Sequence, residues 1–386
     1  MKRSSFLNNV LGAGTIIAVP NQITQTPAPF TPTLRIAVIA PLSGPLKEYG
    51  LQLTDGVQAA VDEQNQTRFQ NERAFIFDAY DDQNDPPQAL ARANFVCGSP
   101  DVIATIGHLG AAATLATLNT YSQFVMPLIV PTVTDNRLTN QGYLNVFRLP
   151  SSDRDEGQLL GAYAVKTGSK APHVVHGGDV TGLSLATGFV SRAASLHVAA
   201  ATTVADFLHS DPAGIARMIL AKEPDFVAFA GTVQRLGGIM DALHEAGYTG
   251  RFAGTQGFFD QATIAAHSPA CEGMIVSTDV PYFPLAPTAL PDVQRYEGRR
   301  GKMSPVAGFG YSAVQLLADV MRRTSAVTRI SMVRGLTNGG SYDTVMGSYT
   351  FGVTGDQIDP NVYFYAVRNG KFAYERQAHS SGFMLR

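Results

Sequence analysis

Two cysteines in 386 residues are too few for a disulfide framework. Cys97 closes a helix-like segment and Cys271 lies far along the chain before a strand-like one. That leaves a bridge in an oxidising compartment open, favours two buried thiols, and offers no metal-binding spacing. Charge is scarce too, with 16% Asp, Glu, Lys and Arg and a net charge of −2. So small an imbalance gives no electrostatic reason to expect nucleic acid or an anionic membrane as a partner. The apolar segment Val10 to Val19 is too short to cross a bilayer. There is no phosphate-loop lysine motif, no dinucleotide glycine pattern and no zinc cysteine set, so no cofactor or metal is expected. Internal repeats and coiled-coil heptads are missing as well.

What is present begins with Lys2 and Arg3 ahead of that short apolar segment, the layout of an export signal. No clear small-residue cleavage triplet precedes Pro20, and no cysteine follows to carry a lipid; the competing reading is an irregular tail. Residues 20–33, rich in Pro, Thr and Gln, read as a spacer. The export signal and spacer, 1–33, predict a periplasmic location.

From residue 34 the chain alternates strand-like and helix-like segments. Leu34 to Ala40 is an apolar run that breaks at Pro41 into a Ser43-Gly44-Pro45 turn, followed by Leu53, Val57, Ala60 and Val61 at helical spacing. Asp85-Pro86-Pro87 and Asp211-Pro212 read as helix starts. After Arg148 the rhythm restarts and runs to about residue 280. Two successive arrays predict an α/β fold of two doubly wound lobes, with ligands held at the carboxyl ends of the strands. Beyond them, a helix over 307–323 and strands near 347–351, 362–368 and 372–376 are expected, the last two joined at Asn369-Gly370.

Several segments, in order, resemble the leucine/isoleucine/valine-binding group of type I periplasmic binding proteins, the solute receptors of ABC importers. They include IAVIAPLSGPLKEYG at 36–50, YDDQNDPPQALARA at 80–93, VIATIGHLGAAAT at 102–114, LIVPTVTDNRLTNQGYLNVFR at 128–148, EPDFVAFAG at 223–231 and GYSAVQLLADV at 310–320. The resemblance implies two Rossmann-like lobes on a three-segment hinge. Lobe 1 would be 34–149 plus 279–348, lobe 2 would be 150–278 plus 349–386, and the crossings would lie near 148–153, 277–282 and 349–356. It implies a monomer that catalyses nothing, closes on a small-molecule ligand and delivers it to an ABC permease. Ser43, Tyr49, Ala111, Ala112, Val133 and Thr134 would line one wall, and Thr181, Thr232 and Gln256 the other.

The departures matter more. Ala111 stands where amino-acid-binding members carry a hydroxyl that grips the ligand carboxylate, although backbone N–H groups at that helix start still favour an anion. Thr181 and Thr232 match family tyrosines, and Gln256 matches the acid that pairs with the ligand ammonium. An amide there leaves a buried ammonium without its counter-charge, which costs several kcal/mol. Tyr49 and Thr134 keep the family pattern, and Gly308 replaces a bulky residue. The expected ligand is therefore larger and less charged than an amino acid: an aromatic acid, an amide, or a terpenoid- or sterol-like molecule. The alternatives are that Asp135, Asp153, Asp179, Glu156 or Asp260 replaces the missing acid and a branched-chain amino acid binds, or that the protein is a non-transport sensor.

Other motifs carry less. Gly182-Leu183-Ser184-Leu185-Ala186 approaches a nucleophile elbow but lacks its last glycine. His173 and His176 would point to opposite faces of a strand. His108, at a strand end, is either a ligand donor or structural.

Overall fold

The computed structural model describes residues 33–67, 73–206, 211–281 and 289–378. The export-signal and spacer reading concerns residues 1–32, which lie outside the described residues, and residue 33, which opens the first strand.

The chain starts with β1 (Thr33–Ala40), α1 (Lys47–Thr67), β2 (Ala74–Asp81), α2 (Pro86–Cys97), β3 (Val102–Gly107), α3 (Ala111–Gln123), β4 (Leu128–Val130) and β5 (Val146–Arg148). The five strands form one parallel sheet in the order β2-β1-β3-β4-β5. β1 is apolar throughout because both its faces are covered. Ile36 and Val38 pack with Leu53 and Val57 of α1, while Ala37 and Ile39 pack on the other side with Val96 of α2 and Tyr121 of α3. The side chain of Asp85 caps α2 by accepting from Gln88 N–H, with proline in the first turn.

Then follow α4 (Asp153–Lys166), β6 (Pro172–His176), α5 (Val180–Ser195), β7 (Ala201–Val204), α6 (Pro212–Leu220), β8 (Phe226–Ala230), α7 (Val233–Glu245), β9 (Arg251–Gly254), α8 (Gln261–Ala266) and β10 (Ile275–Thr278). After α9 (Leu290–Arg300), α10 (Pro305–Arg322), α11 (Arg329–Asn338), β11 (Tyr342–Thr344) and β12 (Gly347–Tyr349) come β13 (Val362–Arg368) and β14 (Lys371–Ala378). The second sheet runs β14-β13-β10-β9-β8-β6-β7. β6 to β10 are parallel, and β13 and β14 extend the sheet antiparallel. Asn369 and Gly370 turn the β13–β14 hairpin, both in the left-handed region with φ of 52° and 67°.

This sheet is also covered twice. Val174, Phe226 and Ala228 pack with Leu160 and Phe189 of α4 and α5, and Val175, Val227 and Phe229 with Ile219 and Ile239 of α6 and α7. Val293 of α9, Val314 of α10, Leu336 of α11 and Tyr342 of β11 return to the first sheet's core. The chain therefore passes between the two sheets' cores three times, after β5, β10 and β12. Cys97 and Cys271 are unbridged and buried, and burial pushes the Cys97 thiol up to about 11. A 3-10 turn, Gln256–Phe258, precedes α8, whose start Asp260 caps by accepting from Thr263 N–H.

Candidate functional site

In an open α/β sheet, ligands lie beyond the carboxyl ends of the strands where successive connections diverge. β1 has β2 on one side and β3 on the other, and β6 has β7 and β8 likewise, so each sheet has such a point. The residues singled out from the sequence lie in the connections and helix starts that follow β1, β3, β4, β6, β8 and β9 of these two sheets.

On the first sheet, Ser43 donates its hydroxyl to Asp81 Oδ2 at 2.6 Å, and Leu42 N–H donates to Asp81 Oδ1 at 2.8 Å. Asp81 thus ties down the turn after β1 and occupies the Ser43 proton. Tyr49 is exposed on the first turn of α1. Ala111 and Ala112 begin α3 behind Gly110, which supplies no side-chain cap, so the first N–H groups of that helix have no side-chain acceptor from their cap. Val133 is buried among Val130, Leu138 and Val146, so its side chain belongs to the core. Thr134 accepts the Asp153 N–H at 3.0 Å through its carbonyl. His108 is fully buried, 2.6 Å from Asp82 Oδ2 and 3.0 Å from the Tyr121 hydroxyl, an internal brace and not a ligand donor.

On the second sheet, Thr181 lies exposed in the first turn of α5 and Thr232 is the exposed N-cap of α7, making no side-chain cap bond. Gln256 is half-buried. Its N–H donates to Glu156 Oε1 at 2.9 Å, and its Oε1 accepts from Asp279 N–H at 3.5 Å. His173 and His176 are buried apart: one hydrogen-bonds the Thr203 hydroxyl at 2.8 Å, the other accepts from Gly178 N–H at 3.2 Å. Among the described residues no group of three or more acids, histidines and cysteines could hold a metal ion.

Three buried carboxyl groups join these walls near the chain crossings. Asp153 lies beside the Thr134 and Thr181 hydroxyls, one from each sheet. Burial lifts it to about 6, and those hydroxyls pull the other way. Glu156 accepts from Ser277 Oγ at 2.6 Å as well as from Gln256, and burial, reinforced by the Asp279 charge, pushes it up to about 8. Asp279 accepts from the Ser151 N–H and hydroxyl at 3.2 and 2.5 Å, and burial raises it to about 7. Arg148, 1% exposed, stands beneath them. It donates to Asp356 at 2.8 Å and to the carbonyls of Thr134 and Asp135 at 2.8 Å each.

Of the acids weighed from the sequence, Asp135 is taken by Arg137, while Asp179 caps α5 and pairs with Arg235. Asp260 caps α8. Asp279, Ser151 and Ser277 were missed. Their only signal is position beside the expected crossings.

A family model described as "Periplasmic binding protein" matches residues 33–371. The chain belongs to that family. This periplasmic binding protein is 25% identical over 349 residues to the Leu/Ile/Val-binding protein BraC3 of Rhizobium johnstonii, covering 88% of this chain and 92% of the relative. Its fold matches that of an ABC transporter substrate-binding protein from Desulfitobacterium hafniense in complex with Leu, at 22% identity and a TM-score of 0.75, covering 89% of this chain and 100% of that one. It also matches the solute-binding protein of an ABC transporter from Rhodopseudomonas palustris BisB5 in complex with 3,4-dihydroxy benzoic acid. There the identity is 16%, the TM-score 0.71, and the coverage 90% of this chain and 98% of that one.

Proposed function

We propose that this chain is the periplasmic substrate-binding component of an ABC importer and performs no chemistry. Its lobes, 34–149 plus 279–348 and 150–278 plus 349–386, close on one small organic ligand. That ligand is less polar than a free amino acid, and an aromatic acid fits the lining best. The observation that carries this reading is at Gln256: an uncharged amide stands at this strand end, its main-chain N–H donating to the Glu156 carboxyl and its Oε1 accepting the main-chain N–H of Asp279, and burial biases both neighbouring acids towards their neutral form. A ligand ammonium placed there would meet little opposing charge. The bare start of α3 still suits a carboxylate. The structural likeness to a protein holding dihydroxybenzoic acid agrees with this chemistry.

The second reading, a branched-chain amino acid, is favoured by the name of the Rhizobium relative and by the Asp153 carboxyl. Thermal melting separates the two. A ligand at 100 times its Kd stabilises by about 2.7 kcal/mol, so millimolar leucine leaves the melting temperature unchanged under the first reading. A shift of several degrees with leucine overturns it.

A further inference from the structure

We infer that Asp153 is the docking point on the floor of the crevice, where its buried Oδ2 accepts an O–H or N–H donor carried by the guest. This rests on the ligand reading above and narrows it to molecules that bear such a donor apart from their acid group.

Asp153 is the first residue of α4 and only 2% exposed, with its backbone N–H held by the Thr134 carbonyl at 3.0 Å. Its Oδ2 is buried with no hydrogen-bond partner among the described residues. An acceptor shut away from water without a donor is costly, and native proteins rarely tolerate one without a reason. The acids around it are each engaged through at least one oxygen: Asp135 by Arg137, Glu156 Oε1 by Gln256 and Ser277, and Asp279 Oδ1 by Ser151. Among the carboxylate oxygens of the described residues, Asp153 Oδ2 alone is both shut away from water and without a partner. Asp153 lies beside two hydroxyl residues, Thr134 and Thr181, that belong to different sheets, and so sits where a ligand held by both would lie.

The start of α3 follows β3, whereas Thr134 and Asp153 follow β4 and β5. Adjacent strands lie about 4.8 Å apart. An acid group at α3 and a donor at Asp153 are therefore farther apart than the two charges of an α-amino acid, which sit on neighbouring carbons. A phenolic hydroxyl across a ring from a carboxylate has the needed reach. The charged or titratable groups facing Asp153 are Asp135, Glu156, Asp279 and Arg148. Burial outweighs the hydroxyls and Arg148, so the group is ionised at neutral pH and gains a proton near pH 6, when it no longer offers two acceptors.

Calorimetric titration with benzoate, 3,4-dihydroxybenzoate and leucine tests this on the wild type and Asp153→Asn, at pH 7.5 and pH 5. The expected result is that the wild type at pH 7.5 binds dihydroxybenzoate at least tenfold more tightly than benzoate. Both Asp153→Asn and pH 5 remove most of that preference. Thr181→Val, altered on an exposed helix turn, keeps the fold and moves the acid midpoint of binding upward, because the hydroxyl favours the ionised form; an unmoved midpoint counts against the assignment. Equal affinity for both aromatic acids in both proteins overturns the role of Asp153 and leaves the aromatic-acid reading intact. Leucine binding alone, weakened tenfold by Asp153→Asn, overturns the aromatic reading and keeps Asp153. Leucine binding indifferent to Asp153→Asn, or no binding by any of the three, overturns both.

Discussion

At Glu156 a carboxyl group is enclosed by protein, accepts two hydrogen bonds and faces a second acid, Asp279. Its pKa in the fold, about 8, lies above that of an unfolded glutamic acid, near 4.3. The stability it contributes is therefore complete below the unfolded value and is lost as pH rises through the folded one. Glu156→Gln keeps the shape and the acceptor oxygen without the ionisation. The variant should nearly match the wild type near pH 4.5 and exceed it by about 4 kcal/mol at pH 8.5. Urea melts across that range check this, and a constant difference would show that Glu156 does not titrate in the fold. Position alone made Glu156 and Asp153 visible in the sequence, as acids beside an expected crossing. Which of several acids would be buried was not visible, because the answer depends on partners such as Ser277 and Ser151, each more than 100 residues from its acid.

Helices set the next scale. α1 lies against α10 and α4 against α5 through glycine, one pair in each half. A Cβ on Gly56 would sit 2.0 Å from the Ala307 carbonyl oxygen, and one on Gly188 would sit 2.2 Å from that of Arg154. Backbone contacts of this kind cannot yield by rotating a side chain, so overpacking displaces a whole helix. Gly56→Ala should cost about 1–3 kcal/mol or more in chemical denaturation and leave ligand affinity nearly unchanged. Gly188→Ala should cost as much and weaken binding as well, since it presses on the turn of α4 that bears Asp153 and Glu156. Equal affinities in both variants would detach α4 from the site. Elements with strong local signals were legible: the buried run of β1, the aspartate-proline starts of α2 and α6, and the Asn369-Gly370 turn. α9 lacks a side-chain cap, α11 begins with a Thr328–Ser331 box without an acid, and β5 and β11 have three residues each. Such elements are specified by what they pack against, not by their own pattern.

For the molecule as a whole, the crossings are stitched to one another. Arg148 at the first reaches Asp356 at the third and donates to the Thr139 hydroxyl at 2.8 Å, while Ser151 at the first reaches Asp279 at the second. Removing Asp356 strands the buried Arg148 charge, so Asp356→Ala should lose about 3–5 kcal/mol. Differential scanning calorimetry reads the loss. A drop below about 1 kcal/mol would mean that the crossings hold without this pair.

The glycine seams carry a mechanical corollary. With backbone resting on backbone at Gly157, Gly161 and Gly188, α4 and α5 travel as one plank. A guest that tugs on the first turn of that plank tugs the half of the molecule behind it, and no slack side chain lies between to absorb the pull.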